Sequence, residues 1–407
     1  MPTTTSKRKR QPGSMRERSP GHWELRAFSG RHVVTGKPTQ RTQTFSGTEH
    51  QAAKALAAFV TKVGASAATP TGHTVGQLLD KWLDAVEPRQ TPKTFHENRR
   101  KIDTRIRPAL GEVKLSKLDA ALLDSLYNAW EKEGLSPQTV LLLHRILSAA
   151  CNRGVKWGWL DRAPTMNATP PDVPRHEYNI PTPAQLRSMI QAAEDFDPVL
   201  AAAVALAALT GARRGELAAL RWSDLDLNAG KVKIARSLTV VGGSQHTGTT
   251  KTHAARTLAL DPFCVEVLRW RWDFMVELSN RAESPLVADP YVLSYNGDGA
   301  TPAGPDTITH RFSQLCVLLE KPALEQLKVT KPKATRADLA PADRWPFRFH
   351  DLRHFSVTTL IAAGVDVRTV ADRHGHAKAT MTLDRYAHAL PERDREAAGV
   401  LGAALTL

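Results

Sequence analysis

Four residues in one short stretch of the chain have side chains suited to chemistry: His350, Arg353, His376 and Tyr386. His350 and Arg353 are three apart in a segment predicted as helix, so both project N–H donors from one face. Tyr386 follows on a further predicted helix. A phenolic oxygen beside cationic donors is suited to nucleophilic attack on an electrophile whose negative charge those donors neutralise.

Two segments upstream carry further candidates. Arg213 follows a glycine turn near the start of a predicted helix, and Glu216, one turn on, could fix its guanidinium. Taken alone, Arg213 and Glu216 could equally form an ordinary surface ion pair. Lys251 lies between two predicted strands, where it could give a proton to a bound phosphate or simply be a solvated turn lysine.

The order of these motifs along the chain resembles that of the tyrosine recombinase family, the phage-type integrases. The motifs are Gly-x-Arg-x-x-Glu at 211–216, a lysine at 251, His-x-x-Arg at 350–353, Gly-His at 375–376 and a tyrosine at 386. One departure is His374, which stands where the family has leucine and is expected to be a packing or surface variant. His354 and His388 receive no role.

The resemblance implies a role for each matching residue. Tyr386 is the nucleophile that forms a 3′-phosphotyrosine bond, and Lys251 is the general acid for the leaving 5′-oxygen. His350 assists proton transfer with Tyr386, and His376 hydrogen-bonds the phosphate. Arg213 and Arg353 neutralise the charge of the transition state in place of metal ions, so no metal or cofactor is expected. The phosphotyrosine bond conserves the energy of the cleaved ester, so no ATP is expected either.

Length and composition fit a protein of two or three domains. The chain has 407 residues, of which 42% are hydrophobic and 24% charged. No apolar run has the roughly 20 residues of a membrane span, and the N-terminus lacks a secretory signal. We therefore expect no membrane partner and a cytoplasmic location. The resemblance to phage-type integrases implies that the cell is a bacterial host and that the protein associates with its nucleoid. The three cysteines are predicted to be reduced core thiols.

Positive charge is concentrated at the start of the chain. The net charge is +14, of which residues 1–72 carry +9. This distribution favours a polyanionic partner held by the leading module, although a solubilising tail would look similar. Residues 1–19 are predicted as a disordered basic tail. Residues 20–68 are predicted as three short strands and a helix, resembling an arm-type DNA-binding domain, with these candidate DNA contacts: Arg26, Arg31, Lys37 and Arg41.

Residues 74–168 show helical periodicity throughout and are predicted to form a four-helix bundle, which resembles the core-binding domain of the family. Basic residues on its second helix are candidates for the phosphate backbone, although such runs are often only solvated faces: Lys93, Arg99, Arg100 and Lys101. Residues 178–395 are predicted as an α+β catalytic domain and 396–407 as a C-terminal tail. Within the catalytic domain, 321–346 is predicted to be a charged insertion or loop. The expected fold class is mainly α with small sheets.

The resemblance implies that the partner is double-stranded DNA with core and arm attachment sites, bound by a homotetramer on synapsed duplexes. An accessory DNA-bending protein or an excisionase is a further candidate partner. Two rival functions stay open from the sequence. One is a type IB topoisomerase with the same cleavage chemistry, and the other is a DNA-binding regulator that has lost catalysis.

Overall fold

The computed structural model describes residues 13–31, 38–66, 72–174, 178–249, 254–376 and 379–380. The contacts divide the chain into an N-terminal unit, Met1–Arg175, and a C-terminal unit, His176–Leu407. As predicted, the described structure is mainly helical with small antiparallel sheets.

The first elements that the structure describes in the N-terminal unit are a three-stranded antiparallel sheet and one helix. The elements are β1 (Gly13–Ser19), β2 (His22–Arg31), β3 (Pro38–Ser46) and α1 (Glu49–Ser66), with the strands in sequence order. Leu25 and Ala27 of β2 are buried and alternate with more exposed polar residues, because successive side chains of a strand point to opposite faces. The predicted disordered tail is wrong for residues 13–19, which pair with β2 although most of their side chains are exposed.

The rest of the N-terminal unit is a helical bundle around one apolar core. Its helices are α2 (Val75–Val86), α3 (Pro92–Lys101), α4 (Arg107–Leu110), α5 (Ala120–Lys132) and α6 (Pro137–Lys156). The predicted second helix is divided into α3, a π-helical turn at Ile102–Ile106, and α4. Pro108 has no N–H to donate, which removes one hydrogen bond from this part of the helix.

The described part of the C-terminal unit combines helices with two small sheets. Its helices are α7 (Pro183–Phe196), α8 (Pro198–Thr210), α9 (Arg214–Ala218), α10 (Pro262–Arg281), α11 (Pro305–Thr330), α12 (Asp351–Ala362) and α13 (Val367–His374). Its strands are β4 (Leu225–Asp226), β5 (Lys231–Ile234), β6 (Arg236–Val241), β7 (Ser244–Thr249) and β8 (Arg256–Ala259). The first sheet has the order β4-β5-β8. The second is a hairpin of β6 and β7, which come between β5 and β8 in the sequence.

The alanine-rich helix α8 lies at the centre of this unit and is almost entirely buried. It packs against α7, α10 and α12. The helix ends at Gly211, whose left-handed φ of 62° is accessible to glycine at little cost. The chain then turns into α9, so the Gly211 turn sets where Arg213 begins the next helix.

The predicted loop at 321–346 is wrong in part, because α11 continues to Thr330. The segment after Thr330 packs back against α11. There the buried Glu320 of α11 accepts hydrogen bonds from the Arg336 side chain and the Trp345 N–H. This buried carboxylate anchors the segment to the domain.

Cys151, Cys264 and Cys316 are free and buried, as predicted. Burial raises the pKa of each thiol to about 12. Within the described ranges, none of the helices has the length and apolar character needed to cross a membrane.

Candidate active site

Arg353 joins the ends of two helices. It lies in the first turn of α12 with only 4% of its surface exposed. Its Nη2 donates to the carbonyl oxygen of His374 at 2.5 Å, and its Nη1 donates to that of Gly211. These carbonyls end α13 and α8, where a cation interacts favourably with the helix dipole. Two backbone carbonyls therefore hold the Arg353 guanidinium.

Arg213 is the N-cap residue of α9 and is held at three points. Its Nη1 lies 3.0 Å from Glu216 Oε1, and its backbone N–H donates to Glu216 Oε2 at 2.9 Å. Its Nη2 donates to the carbonyl of Gly375 at 2.9 Å. The pair predicted from the sequence does form, but it is not a surface pair. The Glu216 side chain is 1% exposed, while that of Arg213 keeps 23% of its surface open.

Arg256, at the start of β8, is a member of this cluster that the sequence analysis missed. Its Nη2 and Nη1 donate to Glu216 at 2.7 and 3.3 Å, and its Nε donates to the carbonyl of Arg373 at 2.9 Å. Burial by itself raises the pKa of Glu216. Hydrogen bonding and charge from Arg256, aided by Arg213, outweigh that effect and hold the pKa below its usual value. Glu216 is thus a buried carboxylate shared by two arginines.

Three successive carbonyls at the end of α13 each accept a guanidinium from elsewhere in the chain. Arg256 donates to the carbonyl of residue 373, Arg353 to that of 374, and Arg213 to that of 375. Residue 375 is a glycine with a left-handed φ of 61°. A Cβ there would lie 3.0 Å from Arg256 Nη1, so the glycine also leaves room for the guanidiniums.

His350 is the residue before α12, and its ring meets that of His354 edge-on at 5.0 Å. Its pKa is lowered to about 4, first because protein atoms desolvate the ring and then because Arg353 and Arg213 repel a further positive charge. His350 as a whole residue is nevertheless exposed to solvent. The ring is therefore neutral at pH 7, with a nitrogen available to accept a proton.

His374 and His376 have different surroundings. His374 is fully buried, and a Cβ on Gly211 would lie 2.2 Å from its Nε2. Its Nδ1 lies 2.8 Å from the carbonyl oxygen of Val370, and burial, followed by the charge of Arg353, lowers its pKa to about 3. His374 therefore packs the Gly211 turn. His376 is partly exposed, with a ring 6.0 Å from that of His374.

The cluster suits a phosphate group better than a metal ion. It brings together three guanidiniums and one carboxylate, so it carries excess positive charge in a partly desolvated setting. Among the residues that the structure describes, no group of three or more His, Cys, Asp or Glu side chains could hold a metal ion. A partly open Arg213 beside a neutral His350 could meet an anionic ester and accept a proton near it.

Two family models match the chain. The model of the phage integrase family covers residues 181–393, and the model of the phage integrase N-terminal SAM-like domain covers residues 74–131. The first match spans the whole arginine cluster and more than half of the chain. The chain belongs to the phage integrase family. It is a tyrosine recombinase, an enzyme that breaks and rejoins DNA.

Curated relatives of this integrase carry matching names. The ICEBs1 integrase of Bacillus subtilis is 24% identical over 80% of this chain and 81% of its own length. An integrase of Streptomyces ambofaciens is 27% identical over 79% of this chain and 77% of its own.

Solved structures show the same fold. The Tn1549 transposon integrase, solved in complex with transposon right end DNA, has a TM-score of 0.64 at 19% identity and covers 81% of this chain and all of that one. A lambda integrase tetramer bound to a Holliday junction has a TM-score of 0.56 at 18% identity, covering 95% of this chain and 97% of that one.

The structure brings four of the predicted site residues of the integrase into the cluster around α13, or beside it: Arg213, Glu216, His350 and Arg353. His376 lies just past the end of this helix. Lys251, Tyr386 and the predicted tail at 396–407 lie outside the described residues. Their placement in the site stays a prediction.

The candidate DNA contacts of the sheet do not share one face. Arg41 lies opposite Ala27 in the pairing of β2 and β3, whereas Arg26 is adjacent to Ala27 along β2 and points to the other face. Arg26 bonds to Glu24, with Nε 2.7 Å from the carboxylate. Lys37 and the side chain of Arg31 are outside the described part of the chain.

The candidates on α3 are on the surface of the bundle. Lys93 and Arg99 are exposed. Arg100 and Lys101 both lie near Glu97, at 3.8 and 3.0 Å, and Lys101 is the less exposed of the two. The helix therefore offers solvated cations, some of them shared with an acid.

Proposed function

We propose that this integrase is a site-specific recombinase that cleaves DNA with Tyr386 and rejoins it through a 3′-phosphotyrosine intermediate. The observation that carries the proposal is the fixing of Arg213 and Arg353, which are far apart in sequence, on successive carbonyls at the end of α13. Such an arrangement is prepared for one phosphate before DNA arrives, and preorganised donors are most effective where charge develops in the transition state.

The proposed reaction exchanges one ester for another. The Tyr386 oxygen attacks phosphorus, the bond from phosphorus to the 5′-oxygen breaks, and the DNA 3′-phosphate stays on the tyrosine. The phenol proton passes to neutral His350, and Lys251 gives a proton to the leaving 5′-oxygen. A 5′-hydroxyl of a partner strand then attacks the phosphotyrosine and reverses these transfers, so the number of ester bonds is unchanged.

Arg213 and Arg353 have complementary parts in this proposal. The exposed edge of Arg213 would donate to one non-bridging oxygen, while buried Arg353 would donate to the other and keep the helix ends in place. His376 would hydrogen-bond the same phosphate. Charge neutralisation by guanidiniums replaces the metal ions that other phosphoryl-transfer sites employ.

The substrates are proposed to be the core and arm attachment sites of a phage or mobile element, integrated and excised at the nucleoid of a bacterial host. The bundle at 74–168 would hold core DNA, and the sheet module at 20–68, which the structure extends back to residue 13, would hold arm DNA. Assembly as a homotetramer on two duplexes is supported by the lambda integrase tetramer on a Holliday junction. An accessory DNA-bending protein or excisionase would set the direction. The matches reported above are integrases and recombinases, which favours this function over a type IB topoisomerase.

Replacement of the phenol tests the proposal. The core site can be read from the repeated sequence that borders the inserted element beside the gene. Tyr386→Phe should bind a duplex of this site as the parent does but fail to cleave it. Tyr291→Phe is the matched control, because Tyr291 is 8% exposed and its ring face, which lies 4.0 Å from the Arg221 guanidinium, is kept. Cleavage by the Tyr386→Phe protein at the parent's rate would overturn the proposal.

A further inference from the structure

We propose that Arg256 is a positioning residue of this integrase. Through Glu216 it orients Arg213, and through the carbonyl of Arg373 it holds the end of α13 beside the phosphate site. The inference rests on the proposed function. No pattern in the sequence singles out Arg256, and its role follows from where its three donors point.

All three donor nitrogens of Arg256 are used inside the protein. Two of them grip the Glu216 carboxylate, and Nε reaches the carbonyl of Arg373. The side chain is 11% exposed, compared with 23% for Arg213. Arg256 is thus turned towards the protein, whereas Arg213 keeps an open edge for a ligand. This contrast indicates support rather than direct contact with DNA.

Glu216 needs both arginines to hold a single conformation. Its Oε1 accepts from the Nη1 atoms of Arg213 and Arg256, and its Oε2 accepts from the Arg213 N–H and from Arg256 Nη2. Loss of Arg256 would leave a buried carboxylate with half of its charged partners. The carboxylate would then be free to rotate, and Arg213 would lose the fixed acceptor that aims its guanidinium.

Arg256 also ties β8 to the far side of the site. The Arg373 carbonyl that it binds is the first of the three that receive guanidiniums. In return, Arg373 donates from Nη2 to the carbonyl of Ala259 in β8 at 3.2 Å and to that of Leu209 in α8 at 2.9 Å. The Arg256 side chain therefore connects β8 to both α9 and α13. It also fixes the chain five residues after Lys251, the proposed general acid.

Lysine cannot replace this arginine fully. An ammonium group is a compact point charge, whereas the guanidinium fork meets a carboxylate with two parallel bonds and a carbonyl with a third. Arg256→Lys would keep a cation at Glu216 but could not reach the Arg373 carbonyl at the same time. We expect this variant to be intermediate between the parent and Arg256→Gln.

The test measures single-turnover cleavage of a nicked core-site duplex by the full-length parent, Arg256→Gln and Arg256→Lys. Arg256→Gln should cleave about 100-fold more slowly through misplacement of Arg213, with an unchanged dissociation constant for the duplex. Thermal melting identifies any variant that fails to fold. If Arg256→Gln does not fold, Arg256→Lys, which keeps a second cation at Glu216, carries the test.

A second substrate separates positioning from general weakening. A methylphosphonate at the scissile position removes the negative charge that Arg213 is proposed to neutralise. On this duplex the loss in cleavage rate of Arg256→Gln relative to the parent should therefore be smaller by about tenfold or more. The matched control is Arg336→Gln, which removes an arginine from the buried Glu320 away from the cluster and should cleave both duplexes as the parent does.

The outcomes are distinct. The inference would be overturned if Arg256→Gln lost the same factor in cleavage rate on the phosphodiester and on the methylphosphonate duplex. It would also be overturned if Arg336→Gln lost as much rate as Arg256→Gln. Either result would show a merely structural role for Arg256. An Arg256→Gln protein that matches the parent on the phosphodiester would overturn the inference as well. A parent that cleaves neither duplex would instead contradict the proposed function, and this inference with it.

Discussion

Arg353 in the C-terminal unit and Arg100 in the helical bundle are both helical arginines, but their surroundings differ. Arg353 is 4% exposed and donates to the carbonyls of Gly211 and His374. The Arg100 side chain is 59% exposed, and its partner Glu97, itself 43% exposed, lies 3.8 Å away. A buried backbone carbonyl fixes a guanidinium in space, whereas an exposed ion pair in water holds it weakly. The first environment suits transition-state stabilisation, and the second suits adjustable contact with a phosphate backbone.

The two regions should also respond differently to salt. Charges on the open face of α3 are screened over about 8 to 10 Å at ordinary ionic strength. The cluster at the end of α13 is partly shielded from solvent by protein, so salt should change how tightly DNA binds more than how fast bound DNA is cleaved.

Replacement of Arg353 by lysine should have the largest effect. Arg353→Lys keeps the charge but loses the fork that holds two carbonyls and, in the proposed reaction, a phosphate oxygen. Single-turnover cleavage should fall by about 10²- to 10³-fold, measured at saturating protein. Arg100→Lys is the matched change in the bundle and should stay within about twofold of the parent. Equal losses of cleavage rate in the two variants would contradict the contrast between the buried and the exposed arginine.

A methyl group at the Gly211 turn should be the next most damaging change. Gly211→Ala strains a left-handed residue and drives Cβ into His374, and we expect a loss of about 3 kcal/mol in the free energy of unfolding. Gly158→Ala in the bundle is the control, since Gly158 also has positive φ, at 72°, but a Cβ there would meet nothing within 4 Å. It should cost only about 1 kcal/mol. Urea denaturation compares them, and similar losses would show that the packing against His374 is loose.

The buried His374 predicts acid sensitivity in the C-terminal unit. Its pKa is lowered from 6.5 to about 3 in the folded protein, so between these pH values the unfolded chain binds a proton that the folded chain does not. Stability should therefore fall as pH drops below about 6.5, by about 1 to 2 kcal/mol at pH 5.5. His374→Leu should remove this part of the pH dependence in urea titrations at pH 7.5 and 5.5, while cleavage at pH 7.5 is retained. An unchanged pH dependence would contradict the burial of a neutral ring.

Single changes on α3 should have the smallest effect. Lys93→Ala and Arg99→Ala should each weaken binding of core DNA by about 3- to 10-fold and reduce the slope of log affinity against log salt by about 1. Cleavage of bound DNA should be unchanged. Arg281→Ala on α10, which removes an arginine 73% exposed beside Glu277, is the control. If the α3 variants slow cleavage at saturation, the bundle does more than hold DNA.

The sequence predicted the catalytic candidates better than it predicted what holds them. Arg213, Glu216 and the His-x-x-Arg pair lie in local motifs that carry a family resemblance. Arg256 was missed because its partners Glu216 and Arg373 are distant in the chain, and the only signal was an arginine at the start of a predicted strand. The role of three successive carbonyls could not be predicted at all, since every residue has a carbonyl and only packing selects those that are used.

The same limit applies to two elements of the fold. β1 was missed because Met15 is its only large apolar residue, and its stability depends on pairing with β2 rather than on a hydrophobic pattern. The last part of α11 was missed because Pro322 and the lysines near it resemble a loop, although the buried Glu320 anchors the region. In both cases tertiary contacts outweighed local propensity.

Detection of the covalent adduct tests the assignment of Tyr386 to the arginine cluster most directly. The parent integrase would be incubated with a nicked core-site duplex that releases a short strand and so traps the cleaved state. Protease digestion and mass spectrometry should then find the DNA 3′-phosphate on the peptide that contains Tyr386, with a free 5′-hydroxyl on the other strand end. DNA linked through its 5′-phosphate, an adduct on another residue, or cleavage without any adduct would contradict this assignment.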